Sequence, residues 1–382
     1  MLADLRPHRG VEKQGKHDGS TQLAHQAQQD RRSIMNKNRL VVAVVPAHNE
    51  EASIAATIQS LKMQSHPIDR IVIACDNCTD QTQAIATREG VLAYATEDNT
   101  VKKAGALNQI LIPLLGGMAD DDLVLIMDAD SYLDVDFIAN AIPIVVSRGA
   151  VSGAYVAATI NGLVPFLQRV EYAQERFKIS RKKARVNVLS GAAAMFTVSS
   201  LKSVASSRSK KLPGIKGQFY DESSLTEDFE ITLALRRLGV ECFSPKELQV
   251  TTDVMRNWRS LYGQRIRWQR GYLESLYAYP LSLTYKAWAV QLAVYVLSMT
   301  PILMVVVIGL NWYTNGVRLT PIWLLVIPIF VLSEAKAAKA SGHRGQLLAA
   351  SILPLAFYNV FRGFVYWRAL GYALHARPSM WT

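Results

Sequence analysis

Short uninterrupted hydrophobic runs alternate with stretches of helical period along the first third of the chain. Apolar runs at 40–45, 70–74 and 123–127 predict strands buried on both faces, because they lack the polar alternation of a half-exposed strand. Apolar positions at helical spacing predict helices at 51–63 and 107–115. Strands that alternate with helices are typical of a doubly wound, mostly parallel sheet, so the sequence predicts an α/β fold.

Polar residues follow these strands at the points where they end, directly after Val45, Ala74 and Met127. In a doubly wound sheet, ligands bind in the crevice outside the carboxyl ends of the strands. We therefore expect these loops to converge on one binding crevice. The further elements predicted around it are a charged helix at 171–185, an apolar strand or buried turn at 187–197, and a helix at 225–238 that opens with acids in its first turn.

The last third of the chain carries the longest hydrophobic stretches. Residues 258–276 place apolar and aromatic side chains at helical spacing with arginines on other faces, which predicts an interfacial helix lying along a membrane. The uncharged stretch 287–310 is long enough to predict a transmembrane helix. Further candidate spans are 320–333, which contains two prolines, and 347–361, which continues past Arg362. We expect two or three transmembrane helices in a multi-pass plasma-membrane protein, with the preceding domain in the cytosol.

Polar residues are sparse in these spans. Tyr358, Asn359 and Arg362 fit placement at the membrane interface, where long side chains keep their polar ends in water, at least as well as they fit the wall of a channel. No polar stripe is long enough to line a sugar-wide channel, so translocation would need a homo-oligomer or a partner protein. The loop before the last span carries basic residues, which favours its cytosolic placement: Lys336, Lys339, His343 and Arg344.

The N-terminal residues 1–38 are polar and show no apolar period, which predicts a disordered tail. They lack the apolar core of a signal peptide. A flexible tail and a translation start at Met35 are both compatible with this pattern. The predicted organisation is this tail, an α/β domain over 39–255, an interfacial helix over 256–280 and membrane helices over 286–375.

Composition supports a chain with a soluble part and a membrane part. Half of the residues are hydrophobic, which is high for a soluble enzyme, and the net charge is +11. Residues 256–270 hold five arginines and no acid, just before the hydrophobic region where the positive-inside rule expects them. No nucleic-acid-binding signature accompanies these arginines, so no nucleic-acid partner is expected. The cysteines Cys75, Cys78 and Cys242 cannot all pair and do not complete a zinc site, which fits a reducing cytosol.

Each polar motif is ambiguous when taken alone. Asp128 and Asp130 follow a buried strand, and they are either a strand-end acid cluster or a pair that meets a hard cation shared with a diphosphate. The segment 226–228 is either a helix cap or a catalytic acid motif. The segment 264–268 is either a basic interfacial helix or a ligand-binding one, and Lys103 is either a surface lysine or a diphosphate contact.

The order of the motifs removes much of this ambiguity. The chain closely resembles the family-2 glycosyltransferases, and within them the membrane-bound branch that includes cellulose, chitin, hyaluronan and poly-N-acetylglucosamine synthases. The resemblance runs from about residue 40 to 268, with similar hydrophobic helices afterwards. Six motifs carry it in the family's order: VVPAHNEE (44–51), DNCTD (76–80), KAGALN (103–108), DAD (128–130), TED (226–228) and QRIRW (264–268).

The resemblance implies a role for each matching residue. Asp228 matches the general base, and Asp130 matches the metal-binding carboxylate, with Asp128 as its nucleotide-side partner. The implied cofactor is Mg²⁺ or Mn²⁺. The remaining residues match substrate contacts: Asp76, with Glu50 beside it, at the uracil and ribose; Lys103, Gln264 and Arg267 at the diphosphate; Glu227 next to the base; and Trp268 under the acceptor sugar.

The implied function is an inverting transferase that moves a hexose or N-acetylhexosamine from a UDP-sugar to a polysaccharide at the cytosolic membrane face. An alternative is single transfer to a lipid carrier or a protein. Synthase relatives generally carry membrane helices before the catalytic domain and this sequence shows none, which weakens the expectation of polymer secretion. A non-catalytic membrane scaffold is the remote alternative, and the intact acids at 76, 128, 130 and 228 argue against it.

Overall fold

The predicted alternation of strands and helices is present in the computed structural model, which describes residues 39–316 and 322–375. The predicted tail, 1–38, lies outside the described residues. The strands are β1 Val41–Ala47, β2 Arg70–Cys75, β3 Leu92–Ala95, β4 Leu123–Met127, β5 Ser131–Leu133, β6 Gly149–Ser152, β7 Ala154–Ala157, β8 Ala193–Thr197, β9 Glu241–Phe243 and β10 Gln249–Thr252.

Helices connect most of these strands and make up the C-terminal part of the described chain. They are α1 Ile54–Lys62, α2 Thr82–Arg88, α3 Lys102–Gly116, α4 Phe137–Arg148, α5 Leu163–Arg181, α6 Val198–Ser207, α7 Glu227–Arg237, α8 Trp258–Ala278, α9 Leu281–Ser298, α10 Thr300–Asn315, α11 Ile322–Ala337, α12 Gly342–Ala350 and α13 Ile352–Leu374, with a 3₁₀ turn at Lys339–Ser341 before α12.

The central sheet has seven strands in the order β3-β2-β1-β4-β8-β6-β9. Neighbouring strands are parallel except at β8, which runs antiparallel to β4 and β6. Every residue of β1 and β4 is buried, as expected for apolar runs covered on both faces. The predicted α/β fold with a mostly parallel sheet is confirmed, and the segment 187–197, left open as strand or turn, contains the strand β8.

A smaller sheet of three strands, in the order β5-β10-β7, lies beside the end of β4. The strands β5 and β10 pair antiparallel, with Ser131 opposite Thr252. The next residues outward along this register are Asp130 and Asp253, so the pairing brings these two acids together. The sequence pattern did not reveal this sheet, because its strands are only three or four residues long.

The predicted amphipathic helix 258–276 is present as α8. The side chain of Asn257 accepts a hydrogen bond from the backbone N–H of Ser260 at 3.0 Å, which caps the first turn. Leu261, Leu273 and Leu276 are buried against the rest of the protein. One face of α8 is therefore packed on the α/β domain. The charged helix expected at 171–185 is α5, which begins and ends earlier than predicted.

The hydrophobic stretch 287–310 forms two helices, α9 and α10, rather than the expected single helix. The break falls at Met299, and Pro301 lies in the first turn of α10, where its missing N–H leaves no hydrogen bond unmade. Within the described residues, no one helix has both the length and the apolar character needed to cross a bilayer. Lys339–Ala350 and Pro354–Leu374, bent by 91°, meet that requirement only as a pair. The candidate span 320–333 lies partly outside the described residues.

The expectation that Tyr358 reaches a membrane interface is wrong, because its side chain lies inside the protein, and the placement of Arg362 at an interface stays a prediction. Tyr358 is buried, and its hydroxyl donates to the Glu171 carboxylate at 2.7 Å. The guanidinium of Arg362 lies 3.6 Å from the other oxygen of the same carboxylate. A buried acid on α5 attracts these polar groups more strongly than solvent would, because unpaired charge in the interior is costly. Helix α13 is therefore fixed to the α/β domain.

Candidate active site

The crevice at the carboxyl ends of β1, β2 and β4 collects the acids that the sequence placed there. The strands β2 and β4 pair parallel with β1 on its two sides, so all three end at the same edge. Glu50 follows β1, Asp76 follows β2, and Asp128 follows β4. The predicted convergence of three loops is therefore present.

Asp76 is buried at the end of β2 and its orientation is fixed by three donors. Its Oδ1 accepts hydrogen bonds from Asn99 Nδ2 at 2.7 Å, from Thr96 Oγ1 at 2.9 Å and from Asn77 Nδ2 at 3.1 Å. A carboxylate with one oxygen so engaged cannot rotate freely, and its other edge keeps a constant direction. Asp76 is thus prepared to bind a donor group of a ligand.

Lys103 joins the DAD and TED motifs. Its Nζ lies 2.6 Å from Asp128 Oδ1 and 2.8 Å from Glu227 Oε1. Burial disfavours the ammonium charge, but the two carboxylates outweigh this effect and raise the pKa of Lys103 well above its ordinary value. Lys103 therefore carries a permanent positive charge at the centre of the crevice and is not a plain surface lysine.

Gly191, in the small-residue segment before β8, lets the backbone approach this charged centre. A Cβ at this position would lie 3.2 Å from Lys103 Nζ, 3.5 Å from Asp128 Oδ2 and 3.6 Å from Asp228 Cβ. Only the contact with Lys103 Nζ is tighter than ordinary van der Waals distance, so a Cβ there would first displace the Lys103 ammonium. The glycine keeps open the space between the DAD and TED acids.

Asp130 is enclosed by other acids. Burial, followed by Asp128, Glu50 and Asp253, raises the pKa of the Asp130 carboxyl to about 7. The pKa of Glu50 is also raised, mainly by burial and then by Asp128 and Asp253, although Ser53 Oγ donates to Glu50 at 2.8 Å and opposes the shift. Sequence reasoning missed Asp253, because only the register of β10 with β5 shows that it faces Asp130.

The donor set suits a divalent cation that arrives with its ligand. Among the residues that the structure describes, no three His, Cys, Asp or Glu side chains form a ready-made metal site. However, Asp130 is half-buried among acids whose mutual repulsion a cation would relieve. Mg²⁺ and Mn²⁺ prefer oxygen ligands, and Mg²⁺ is commonly held by one or two carboxylates plus substrate phosphates. Asp128 and Asp130 fit that role.

Glu227 and Asp228 open α7 and lie in different electrostatic environments. Burial would raise the pKa of Glu227, but its ion pair with Lys103 outweighs burial and lowers that pKa. Burial, and then the neighbouring Glu227 charge, raises the pKa of Asp228 to about 6. The backbone N–H of Phe229 donates to Asp228 Oδ1 at 2.8 Å and fixes the carboxylate at the helix N-terminus. Adjacent acids with separated pKa values are typical of acid–base sites.

Asn108 of the KAGALN motif positions the chain that leads to TED, a role that sequence reasoning did not assign. Its Oδ1 accepts from the backbone N–H groups of Phe219 and Tyr220, both at 3.0 Å, and its Nδ2 donates to the Tyr220 carbonyl at 3.0 Å. The Tyr220 side chain is buried and lines a small cavity with Lys103 and Asp228. The only sequence signal was the motif itself, because the partners are far away along the chain.

The QRIRW motif lies on α8 next to the TED loop. The pKa of Lys102 is lowered by burial and then by the Arg267 charge, and Arg267 adds to the larger effect of Lys103 on the pKa of Glu227, so Arg267 belongs to the charged centre. Gln264 Oε1 is buried without a hydrogen-bond partner within the described residues. Trp268 remains 37% exposed. The structure thus brings Arg267 to the TED acids and leaves Gln264 and Trp268 available on the same helix.

Arg265, the motif residue without an assigned role, supports Trp268. Its guanidinium carbon lies 4.5 Å from the centroid of the Trp268 ring. The same guanidinium donates to Glu171 Oε2 at 2.7 Å, and both side chains are nearly buried. The indole is therefore backed by a cation that is itself held by a buried acid.

Gly271 allows α8 to approach the TED loop closely. A Cβ there would lie 2.7 Å from both Oγ1 and Cγ2 of Thr226, and 3.0 Å from Leu225 Cβ. Distances under about 3.0 Å are not tolerated between such atoms, so any side chain would push the helix and the loop apart. The contact holds the QRIRW helix in register with Asp228.

A comparison with solved structures finds several similar chains, and the first of those described here, with a TM-score above 0.5, supports the fold. The mannosyltransferase PcManGT from Pyrobaculum calidifontis, in complex with GDP-Man and Mn²⁺, is similar over 94% of this chain and 96% of that chain, with 16% identity and a TM-score of 0.51. TarS 1–349 from S. aureus, in complex with UDP, covers 90% of this chain and 94% of that chain, with 16% identity and a TM-score of 0.42. Glucosyl-3-phosphoglycerate synthase from M. tuberculosis covers 64% and 84%, with 20% identity and a TM-score of 0.40.

Sequence comparison identifies the family. A search of curated proteins finds no match. Residues 38–271 match the family described as glycosyltransferase like family 2. This match covers more than half of the chain and includes all six motifs from VVPAHNEE to QRIRW. The chain is therefore a glycosyltransferase and belongs to family 2.

Proposed function

We propose that this chain is an inverting transferase that moves a hexose or N-acetylhexosamine from a UDP-sugar to a saccharide acceptor at the cytosolic face of the plasma membrane. The observation that carries the proposal is the arrangement of Lys103, Glu227 and Asp228 around the open space at Gly191. One carboxylate is neutralised by a lysine, and its neighbour is left to accept a proton.

The chemistry follows from these charges. Asp228, with a pKa of about 6, is mostly ionised at neutral pH and can take the proton of an acceptor hydroxyl. The hydroxyl oxygen then forms a bond to the anomeric carbon as the bond to the diphosphate breaks on the opposite side, which inverts the configuration. Lys103 and Arg267 offset the negative charge that develops on the leaving diphosphate. A Mg²⁺ or Mn²⁺ ion on Asp128 and Asp130 would supply further positive charge to that diphosphate.

Asp76 supports a nucleotide donor. Its fixed carboxylate can accept hydrogen bonds from the base or ribose, while Glu50 lies at the end of the neighbouring strand. The similar PcManGT structure was obtained with GDP-Man and Mn²⁺. A GDP-sugar is therefore the donor class to test against the UDP-sugars.

Trp268 supports a sugar acceptor. An indole plane can cover the apolar C–H face of a sugar while the hydroxyls find polar partners. Its exposed face and the backing by Arg265 provide such a platform beside the TED loop. We propose a polysaccharide as the acceptor, in line with the resemblance to the membrane-bound synthases.

The surface of α10 supports membrane attachment. Val305, Val307 and Leu310 are each more than half exposed, and Val306 and Ile308 are about half exposed. A helix that is apolar on all sides is normally covered by a protein core or by lipid. We propose that lipid covers α10 and its neighbours, with 39–255 as the cytosolic catalytic domain, 256–280 along the interface and 286–375 in or on the bilayer. This placement also favours the second candidate function, single transfer to a lipid carrier, while a protein acceptor remains a third.

A donor and product screen tests the proposal. Purified full chain in neutral detergent is supplied with Mn²⁺ and UDP-glucose, UDP-N-acetylglucosamine or GDP-mannose, and nucleoside diphosphate release is measured with and without saccharide acceptors. UDP release that depends on acceptor, with inverted configuration in the product, is expected. Product length separates a polymer from a single transfer. Retained anomeric configuration, or release only from GDP-mannose, would contradict the mechanism or the donor class respectively.

A further inference from the structure

A second cavity lies apart from the acids, between the starts of α5 and α12. Its volume is about 650 Å³, and it shares no residue with the site around Lys103 and Asp228. Ile160, Leu163 and Phe166 form an apolar part of its wall, and Arg169, His343 and Arg344 form a basic part. A space of this size can hold a phosphate group together with the first part of an attached apolar chain.

The basic part of the wall has no compensating acid. No Asp or Glu lines the cavity, and within the described residues none of its three basic side chains forms an ion pair. Arg169 Nε is buried without a hydrogen-bond partner, and its Nη2 reaches only the Ile160 carbonyl, at 3.5 Å. A buried guanidinium nitrogen without a partner is unusual, because such groups are normally hydrogen-bonded. The Arg169 guanidinium therefore has hydrogen-bonding capacity that its protein neighbours do not use.

Two helices also direct their N-termini to this cavity. The first residues of α5 and α12, Leu163 and Gly342, both line it. Neither helix has a side-chain hydrogen bond at its N-cap, Gly162 or Ser341. The Gly342 N–H donates to the Lys339 carbonyl, but the positive end of each helix dipole still favours a bound anion, phosphate above all.

The wall of the cavity includes an exposed apolar side chain, which a free anion would not require. Leu163 is 61% exposed there, and outside the cavity Leu347 on α12 and Phe357 on α13 are 56% and 65% exposed. These two helices form the bent pair that is apolar enough to enter a bilayer. The ligand that fits both features has an anionic head and an apolar tail.

We propose that this cavity binds the phosphate headgroup of a membrane lipid, with the lipid's apolar chain lying against α12 and α13. The inference rests on the proposed membrane attachment but not on the identity of the donor sugar. Arg169 and Arg344 contact the phosphate oxygens, and the first turns of α5 and α12 supply backbone N–H donors. Arg169 lies two residues before Glu171 on α5. The lipid would therefore be bound on the helix whose Glu171 forms the ion pair with Arg265 of α8.

Phosphatidic acid binding to the purified full chain in neutral detergent tests the proposal. Lipid is titrated, and bound lipid per protein is counted by native mass spectrometry. The wild type is expected to bind one phosphatidic acid saturably and to prefer it over phosphatidylcholine. The double variant Arg169→Gln/Arg344→Gln should bind it at least about tenfold more weakly, because it loses the charge-assisted hydrogen bonds to the phosphate. Arg169→Lys/Arg344→Lys should retain more of the affinity, because it keeps both positive charges.

The matched control is Lys210→Gln/Lys211→Gln, which removes the same charge from exposed positions outside the cavity. Equal loss of binding in the control, or no saturable binding by the wild type, overturns the proposal. If millimolar inorganic phosphate displaces bound phosphatidic acid as effectively as unlabelled phosphatidic acid does, the ligand is a free anion and the lipid assignment is overturned. Unchanged nucleoside diphosphate release by the cavity variants shows that they are folded.

Two further measurements separate this proposal from the proposed function. Flotation of the chain on phosphatidylcholine vesicles tests membrane attachment, and acceptor-dependent release of UDP tests the transferase. A chain that floats and transfers sugar but shows no saturable phosphatidic acid binding refutes the cavity alone. A chain that binds phosphatidic acid but neither floats nor transfers refutes the proposed function.

Discussion

Glu171 and Arg265 form a nearly buried ion pair, with 2.7 Å between Oε2 and Nη2. The carboxylate belongs to α5 and the guanidinium to the QRIRW helix, and the guanidinium backs the exposed indole of Trp268. Tyr358 and Arg362 of α13 contact the same carboxylate. The proposed acceptor platform is therefore held by one acid that three helices share, and its geometry depends on residues that would not touch the sugar.

Replacing Glu171 by Gln should loosen this platform. Removing the charge leaves Arg265 and Arg362 without their counter-ion, so the free energy of unfolding should fall by about 3 kcal/mol. The KM for a saccharide acceptor should rise roughly tenfold while the KM for the donor stays unchanged, because Trp268 loses support and Asp76 does not. Steady-state kinetics and thermal unfolding measure both effects.

The matched control for that change is Glu175→Gln on the same helix. Glu175 pairs with Lys178 at the surface, and an exposed pair contributes only about 0–1 kcal/mol. Equal effects of the two substitutions, or equal changes in donor and acceptor KM in Glu171→Gln, would show that Glu171 has no specific positioning role.

Asp228→Asn should abolish most of the transfer and leave donor binding nearly intact. The amide cannot accept the acceptor proton as a carboxylate does, and loss of a general base typically lowers the rate about 10²- to 10⁴-fold. Single-turnover rates and UDP binding by calorimetry separate the two effects. The exposed Asp136, which caps nothing with its side chain, provides the control Asp136→Asn. Near-normal turnover in Asp228→Asn would exclude Asp228 as the base.

The rate of transfer should fall in acid with the titration of Asp228. Burial and Glu227 raise the pKa of this carboxyl to about 6, while Lys103 opposes the shift. Because the ionised form is the base, kcat/KM should be constant above about pH 7 and fall about tenfold per pH unit well below pH 6. Glu227→Gln removes the neighbouring negative charge and should move this limb to lower pH. If kcat/KM of Glu227→Gln still falls near pH 6, the fall is due to the titration of a group other than Asp228.

Asp130→Asn should stabilise the metal-free protein and remove its response to Mn²⁺. The wild-type carboxylate is half-buried beside Asp128, Glu50 and Asp253, so a neutral amide of similar size relieves repulsion. The thermal midpoint in EDTA should rise in the variant. Addition of Mn²⁺ and UDP should then raise the midpoint of the wild type and leave the variant unchanged. Full transfer activity in excess EDTA would contradict the metal assignment.

Gly271→Ala should separate α8 from the TED loop. Its Cβ would lie 2.7 Å from Thr226, and overpacking of this kind typically costs about 1–3 kcal/mol. The transfer rate should fall by a larger factor than the affinity for the donor, because Asp228 and the α8 helix that carries Trp268 are no longer correctly aligned. Gly371→Ala on α13 meets nothing within 4 Å and should be neutral or slightly stabilising. Thermal unfolding and activity are compared for both alanine variants.

The sequence predicted the parts of the fold that have a strong local pattern. The strands β1, β2 and β4 are apolar runs buried in the middle of a sheet, so their positions and the acids that follow them could be inferred. The short strands β5 and β10 have no usable period, and the proximity of Asp253 to Asp130 depends on their register. That acid could not have been found without the pairing.

Contacts distant along the chain account for the other differences. The interface assignment of Tyr358 and Arg362 treated α13 as a separate span, whereas Glu171 lies 187 residues away from Tyr358 in sequence. Likewise, KAGALN did not indicate that Asn108 holds the backbone at Phe219 and Tyr220. The break between α9 and α10 was missed because hydropathy does not show whether an apolar stretch forms one helix or two. Pro301, in the first turn of α10, marks the position of the break.

The tie between α13 and Glu171 has a consequence for the order in which the protein is made. Glu171 and Arg265 leave the ribosome well before Tyr358 and Arg362, so a nascent chain carries an acid with part of its final set of partners. Only after the last helix has been synthesised and docked does the acceptor platform acquire its complete support. A chain that stops before Tyr358 lacks two of the partners of Glu171, so its acceptor platform should be less firmly held than that of the full chain.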